Sequence, residues 1–362
     1  MKTHSLCTLR TGDGNGSMWW LFALITALGL ICQAGYAQDC AQCATNALLQ
    51  DPEVPTGEWL LTKQVNEVNV LFVAAHNGEP VADLSQNDIV VRDNGKAPKA
   101  ILGFRNEQEL PLRVGVAIDT SSSVTSRFRF EQAAASAFFR QAMKRNSDLG
   151  FVMGFENYST VTQDFVADPD LLSQGVEKLT IGGGTALYDA VRAGCQKLLH
   201  RPEQDVVARV LVVLSDGQND AGEVSLEGAI DAAQEAEVTI YAISTNYSMS
   251  SIGVQDLAAK QGNSDLRKLA EQTGGRVLHP SDPKAVAKAF AKISEELRSR
   301  YAVSYKPADF TPDGRFRKIE IEARKTGEKL EVHARKGYRA RLASSLSSDF
   351  SGAHGNVIIS SR

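Results

Sequence analysis

The chain has 362 residues, 43% hydrophobic and 23% charged, with a formal net charge of −4. That length allows two or three domains with a sizeable core. The small negative charge, and Lys and Arg scattered without a basic block, argue against nucleic acid as a partner.

Residues 1–37 read as a secretory signal peptide. Lys2 and Arg10 supply positive charge, Met18 to Cys32 is apolar, and Gly35-Tyr36-Ala37 is a small-x-small cleavage site that leaves Gln38 first. The apolar stretch falls short of the roughly 20 residues of a membrane span, so membrane attachment is expected only if the segment stays uncleaved. The expected location is outside the cytoplasm: periplasmic, cell-surface or secreted. Cys7 and Cys32 leave with this segment. Cys40 and Cys43 remain as Cys-x-x-Cys, which in an exported chain reads as a local disulfide or an intermolecular tie. No βαβ pattern surrounds the pair, and a zinc site needs a second pair that is absent.

Residues 38–57 read as a linker containing Pro52 and Pro55. From 58 to 110 the text is β-like. Val68 to Val73 is a strand, and Asn77-Gly78 and Asn94-Gly95 are hairpin signals around Asp88 to Arg92. Ala100 to Phe104 closes the set. From 111 to 300, strands alternate with helices, which predicts a doubly wound, mostly parallel α/β sheet. Its predicted strands are Val114 to Ile118, Leu149 to Phe155, Thr160 to Phe165, Val207 to Ser215, Val238 to Ser244 and Arg276 to His279. Its predicted helices are Phe128 to Arg145, with Phe130, Ala134, Phe138 and Ala142 on related faces, then one begun by Asp168-Pro169, then Ala186 to His200 and Leu226 to Ala236. Residues 245–262, rich in Ser and Gly, read as a long loop before a short helix, Asp265 to Thr273, stopped by Gly274-Gly275. A final helix spans 283–300. Cys195, in a helical pattern, reads as a buried small apolar residue. From 301 to 340 the text is β again, over Tyr301 to Tyr305, Arg317 to Ala323 and Leu330 to Ala334. The two β segments, 58–110 and 301–340, are expected to pair into one small β-sandwich with the α/β domain inserted between its strands. Residues 341–362, rich in Ser and Gly, read as a disordered tail.

One constellation carries chemistry. The apolar run Val114 to Ile118 ends on Asp119-Thr120-Ser121-Ser122-Ser123, and the run Val210 to Leu214 ends on Ser215-Asp216-Gly217. Between them, Gly182-Gly183-Gly184 leads into Thr185. Two carboxylates and three hydroxyls thus fall at strand ends or in tight loops, with no His or Cys among them. Such an oxygen-only set suits a hard cation such as Mg2+. Taken alone, Asp119 and Ser121 read equally well as caps of the following helix, but that leaves Thr185 and Asp216 unexplained. The glycines lack the Gly-Lys-Ser/Thr of a phosphate-binding loop. Asp189 reads as a supporting carboxylate, whereas Asp220 has no assigned role.

The order Asp-x-Ser-x-Ser, distant Thr, distant Asp-Gly resembles the metal-ion-dependent adhesion site of von Willebrand factor type A domains, over about Leu112 to Arg300. The resemblance implies that Ser121, Ser123 and Thr185 bind Mg2+ directly, with Mn2+ or Ca2+ as substitutes, and that Asp119 and Asp216 often act through water. The remaining coordination position would accept an exposed acidic residue of a protein partner. The whole layout is also similar to bacterial exported proteins known as "VWFA-related", through Asp83-Leu84-Ser85-Gln86-Asn87-Asp88-Ile89, Asp93 to Lys96, Thr273-Gly274-Gly275-Arg276 and Tyr301 to Tyr305.

The expected function is a non-enzymatic, Mg2+-dependent protein-binding module with no catalytic residue. An alternative is a structural or envelope-assembly protein whose metal site is vestigial. A metal-dependent hydrolase fits worst: the 6 histidines form no spaced pair and no Gly-x-Ser-x-Gly elbow is present.

Overall fold

The computed structural model describes residues 67–340, apart from 145, 204–205 and 247–253. These residues belong to one of the chain's two compact units, 65–362. The signal segment, the linker with Cys40 and Cys43, residues 58–66 and the tail from 341 lie outside the described residues.

The elements in chain order are β1 (Val68–His76), β2 (Glu79–Pro80), β3 (Ile89–Asp93), β4 (Ala100–Asn106) and β5 (Leu112–Asp119). Next come α1 (Phe128–Ala142), β6 (Leu149–Phe155), β7 (Ser159–Val166), α2 (Pro169–Glu177) and α3 (Leu187–Leu199). Then follow β8 (Ala208–Ser215), α4 (Leu226–Glu235), β9 (Val238–Ser244), α5 (Val254–Thr273), β10 (Val277–Leu278) and α6 (Val286–Leu297). The last are β11 (Tyr301–Lys306), β12 (Phe316–Lys325), β13 (Glu328–Ala334) and β14 (Gly337–Arg339). Among the described residues, no helix is long and apolar enough to cross a membrane.

The middle of the chain forms a six-stranded sheet ordered β10-β9-β8-β5-β6-β7. All its pairings are parallel except that of the edge strand β7. Central strand β5 is buried along its whole length, as a parallel strand covered on both faces must be. One face packs under α1, α2 and α6, where Phe138, Phe139, Leu172 and Phe290 meet Val114, Val116 and Val212. The other packs under α3, α4 and α5, where Leu187, Val191, Cys195, Ile230 and Leu266 meet Phe151, Leu211 and Ile240. Burial pushes the Cys195 thiol far above its ordinary pKa, in keeping with an apolar packing role.

The flanking β segments do pair, as a single curled antiparallel sheet of eight strands. β1 joins its halves, bonding β11 on one side and β13 on the other. Asn77 and Asn94 take the left-handed conformation (φ 52° and 50°) ahead of Gly78 and Gly95, as two-residue hairpin turns require. Alternate residues Tyr301, Val303 and Tyr305 of β11 face the curled core with Phe72, Ile319 and Ala323. The α/β layer is inserted between neighbouring strands of this sheet. The chain leaves by β4 and returns by β11, which pair antiparallel with Tyr301 opposite Asn106.

Two local expectations are corrected. The predicted loop over 245–262 ends early: α5 begins at Val254 and runs unbroken to Thr273. Leu257 in its early turns is 67% exposed, and the polar stretch Lys260-Gln261-Gly262-Asn263 interrupts the apolar period from which a helix is read. In α1, Phe130 is 48% exposed, and the buried face starts from Phe128 and Glu131. A row spaced by four drifts about 40° per step on a helix of 3.6 residues per turn. A row aligned with the core at Phe138 has therefore left it by Phe130.

Asp148, fully buried, ties three segments together. Its Oδ1 accepts from Leu112 N (2.9 Å), and its Oδ2 accepts from Lys144 N (3.2 Å) and from Arg298 Nη2. Asp148→Ala would leave a partly buried guanidinium and two amides without this acceptor, a class of loss that costs about 3 kcal/mol or more. Urea unfolding should show that loss; a change below about 1 kcal/mol would mean that water replaces the carboxylate at no cost.

Candidate functional site

The five residues singled out in the sequence are placed by the sheet's switch point. From β5 the chain moves to β6 on one side, while β8 lies on the other. Ligand crevices of open α/β sheets form at such a point, beyond the carboxyl ends of the strands. The parallel register sets Ile118 beside Leu214, so Asp119 comes level with Ser215 and Asp216 follows one residue later.

Three loops meet there and are laced by main-chain bonds. After Asp119, the chain makes a short 3-10 turn over Ser122–Val124 before α1. Gly182 N donates to Thr120 O (2.8 Å), and Ser122 N donates to Gly183 O (3.4 Å), joining the first loop to the second. Asp220 N donates to Thr185 O (2.9 Å), joining the second to the third. Thr185 N in turn donates to Asp220 Oδ1 (2.7 Å).

Asp119 is fully buried and both of its oxygens are engaged. Oδ1 accepts from Ser121 N and Oδ2 from the Ser215 hydroxyl, each at 2.9 Å. The Ser121 and Ser123 hydroxyl oxygens lie 3.0 Å apart. Asp216 Oδ1 accepts from Gln218 N (3.1 Å). Burial pushes the Asp119 carboxyl above its ordinary pKa, and the neighbouring charge of Asp216 adds to this. The bonds from Ser121 and Ser215 act in the opposite direction without cancelling it.

Several contributors were not legible in the sequence. Arg127 brings a guanidinium to the site, with Nη2 3.5 Å from Asp216 Oδ2 and 3.1 Å from Thr245 Oγ1. Asn246 Nδ2 donates to Asp216 O (2.6 Å). Of the two nearby carboxylates, Asp220 braces Thr185, whereas Asp189 accepts from Val224 N (3.1 Å) and Arg192 (3.3 Å) and so anchors the chain beyond the third loop. That reverses the expected ranking of the pair. Helix α5 also presses on the site, through its main chain at Gly262 and through Asn263, whose Oδ1 accepts from Ser244 Oγ (2.6 Å) and Asn246 Nδ2 (3.3 Å). Gly217 turns through φ +83°, and a Cβ on Gly262 would stand 2.3 Å from Asp216 O.

Two outcomes follow from this geometry. Ala is a better helix former than Gly by about 1 kcal/mol. At position 262 the contact with Asp216 O should reverse that sign, since overpacking costs about 1–3 kcal/mol. Gly262→Ala should therefore lower the unfolding free energy in urea, and a more stable variant would show that the loop yields freely. Asp119 supplies the pH outcome. A carboxyl with a raised folded-state pKa contributes stability below its unfolded value of 3.8, and loses it as the pH rises through the folded value. In chelator, Asp119→Asn should thus unfold at a higher temperature than wild type at neutral pH, and the two should converge towards pH 3.8. Equal stability at neutral pH would mean that Asp119 carries no desolvation cost.

The sequence profile of the von Willebrand factor type A domain matches residues 114–292. No curated protein matches the chain. Among solved structures, the chain is similar to an aerotolerance-related membrane protein from Bacteroides fragilis NCTC 9343, at 16% identity over 51% of this chain and 98% of that one, with a TM-score of 0.39. It is also similar to a von Willebrand factor type A protein from Catenulispora acidiphila, at 14% identity over 79% and 76% of the two chains, with a TM-score of 0.41. A third similar structure is the vWF domain of the type V pili tip protein Mfa5 from Porphyromonas gingivalis, at 15% identity over 51% and 94%, with a TM-score of 0.41. The profile match places a von Willebrand factor type A domain at residues 114–292 of the chain, the segment that forms the mostly parallel sheet with its switch point at β5.

Proposed function

We propose that this protein is an exported, non-enzymatic protein-binding module that takes a divalent cation, Mg2+ by preference, at Asp119, Ser121, Ser123, Thr185 and Asp216. The observation that carries the reading is the convergence of three loops bearing only oxygen donors at the switch point. The donor chemistry fits a hard cation. The 3.0 Å between the Ser121 and Ser123 hydroxyl oxygens matches the roughly 3.0 Å between adjacent ligands of an octahedral Mg2+ with bonds near 2.1 Å. Asp119, with both oxygens already engaged, suits a role through water.

Ser121, Ser123 and Thr185 would hold the ion directly, and Asp119 and Asp216 would supply the charge behind them. Neutral hydroxyls leave a bound cation with much of its charge, so a carboxylate from a partner protein is the favoured last ligand. Asp119 and Ser215 hold the first and third loops together, and Asp220 holds Thr185 against them. Among the described residues, no group of three or more His, Cys, Asp or Glu is placed to hold a metal, so any cation here depends on the hydroxyls. Export is supported by the signal pattern of residues 1–37, which fits a periplasmic, cell-surface or secreted location.

A second reading, a structural protein whose constellation takes no metal, is favoured by one observation: the Arg127 guanidinium lies 3.5 Å from Asp216. Calorimetric titration of Mg2+ and Mn2+ into the full chain separates the two. Binding at one site, lost in Asp119→Ala and weakened in Thr185→Ala, is the expected result. Heat-silent titrations with no shift in melting temperature would favour the structural reading.

A further inference from the structure

We infer that Arg127 is a resident counter-cation of this site, balancing Asp216 in the ion-free protein and giving up that contact when a divalent cation binds. The inference rests on the cation-binding reading above and names how that site is regulated.

Arg127 stands just before α1, where its positive charge opposes the helix dipole. Helix capping therefore does not explain it, and no side-chain cap bond is made there. The oxygens that hold it include four from different places. Nε donates to Glu131 Oε1 (3.1 Å), and Nη2 donates to Thr245 Oγ1 (3.1 Å). Nη1 lies 3.5 Å from Ser123 O, and Nη2 lies 3.5 Å from Asp216 Oδ2. Two of these oxygens belong to residues of the proposed site, one on the first loop and one on the third.

The distances separate a firm grip from a loose one. The contacts to Glu131 and Thr245 are ordinary hydrogen bonds, whereas 3.5 Å to Asp216 is a charge contact with little hydrogen-bond strength. Glu131 is fully buried, so its carboxylate depends on the guanidinium beside it. Arg127 can thus stay tied to Glu131 and Thr245 while releasing Asp216. Its side chain is only 16% exposed and that of Asp216 only 7%, so solvent screens this pair poorly. In the ion-free protein the pair limits the repulsion between Asp216 and Asp119. In the loaded protein the same guanidinium becomes a like charge beside the cation and lowers its affinity. The site is thereby set to hold its cation loosely until a partner carboxylate supplies further negative charge.

The test is titration of Mn2+ alone into the full chain, comparing wild type with two variants. Arg127→Met by itself would strip Glu131 of its guanidinium and endanger folding, so the neutral variant combines Arg127→Met with Glu131→Met. Arg127→Lys keeps the charge. Circular dichroism in chelator establishes that each is folded. The double variant removes one positive and one negative charge, of which the guanidinium is the one in contact with Asp216, so the expected result is Mn2+ affinity about threefold tighter. Arg127→Lys should stay within about twofold of wild type, because the positive charge is kept although the guanidinium fork is lost. Wild-type binding that is equalled or weakened in the double variant would overturn the inference and leave the cation reading intact. Absence of Mn2+ binding in both wild type and the double variant would overturn the two together.

Discussion

The site depends on one constraint: two parallel strands, β5 and β8, end side by side at the point where the sheet's connections part. Their register puts Asp119 level with Ser215, and the Ser215 hydroxyl bonds the buried carboxylate across the strand boundary. Two carboxylates, Asp119 and Asp216, are thereby forced near one another with little water. Like charges under such conditions need hydrogen bonds, a counter-charge or a bound cation. The surroundings can be read as answers to that need. Ser121 N and Ser215 serve Asp119, Gln218 N serves Asp216, and Arg127 supplies positive charge.

The fold holds this arrangement from both sides. Beneath the crevice, β5 is buried along its length between two helical layers. Above it, α5 lays Gly262 against the Asp216–Gly217 turn so closely that backbone touches backbone, and Asn246 bonds Asp216 O. The curled sheet secures the other end. Its neighbouring strands β4 and β11 carry the chain out to the α/β layer and back, which fixes the start of β5 relative to the end of α6. Asp148, bonded to Leu112 N and Arg298, reinforces that closure.

Much of this was legible in the sequence because it is written in burial. Strands such as Val210 to Leu214 are continuous apolar runs because both faces are covered. The Asn-Gly hairpins and the Asp168-Pro169 helix start are backbone chemistry that few other residues perform. What escaped notice is held by other means. The first turns of α5 leave Leu257 exposed and meet the site through the Gly262 backbone and the Asn263 amide, so no buried apolar row marks them. Phe130 was drawn onto the core face by a spacing of four that drifts around the helix.

The same division applies to the site. Asp119, Ser121, Ser123, Thr185 and Asp216 could be picked out because short spacing and strand ends announce them, although their joint role as cation ligands is a proposal. Arg127 and Asn246 could not, since their places depend on tertiary contacts across 89 and 30 residues of chain, and Asp220, noticed near the motif, could be given no role because its bond to Thr185 spans 35. A carboxylate four residues beyond Asp216 was the available signal for Asp220. The central claim, that these oxygens hold a divalent cation, is tested most directly by diffraction from crystals of the protein grown with Mn2+, recorded at the manganese absorption edge. One anomalous peak is expected among Ser121, Ser123 and Thr185, with Arg127 withdrawn from Asp216. Crystals that contain Mn2+ elsewhere, with no peak among those three hydroxyls, would contradict it.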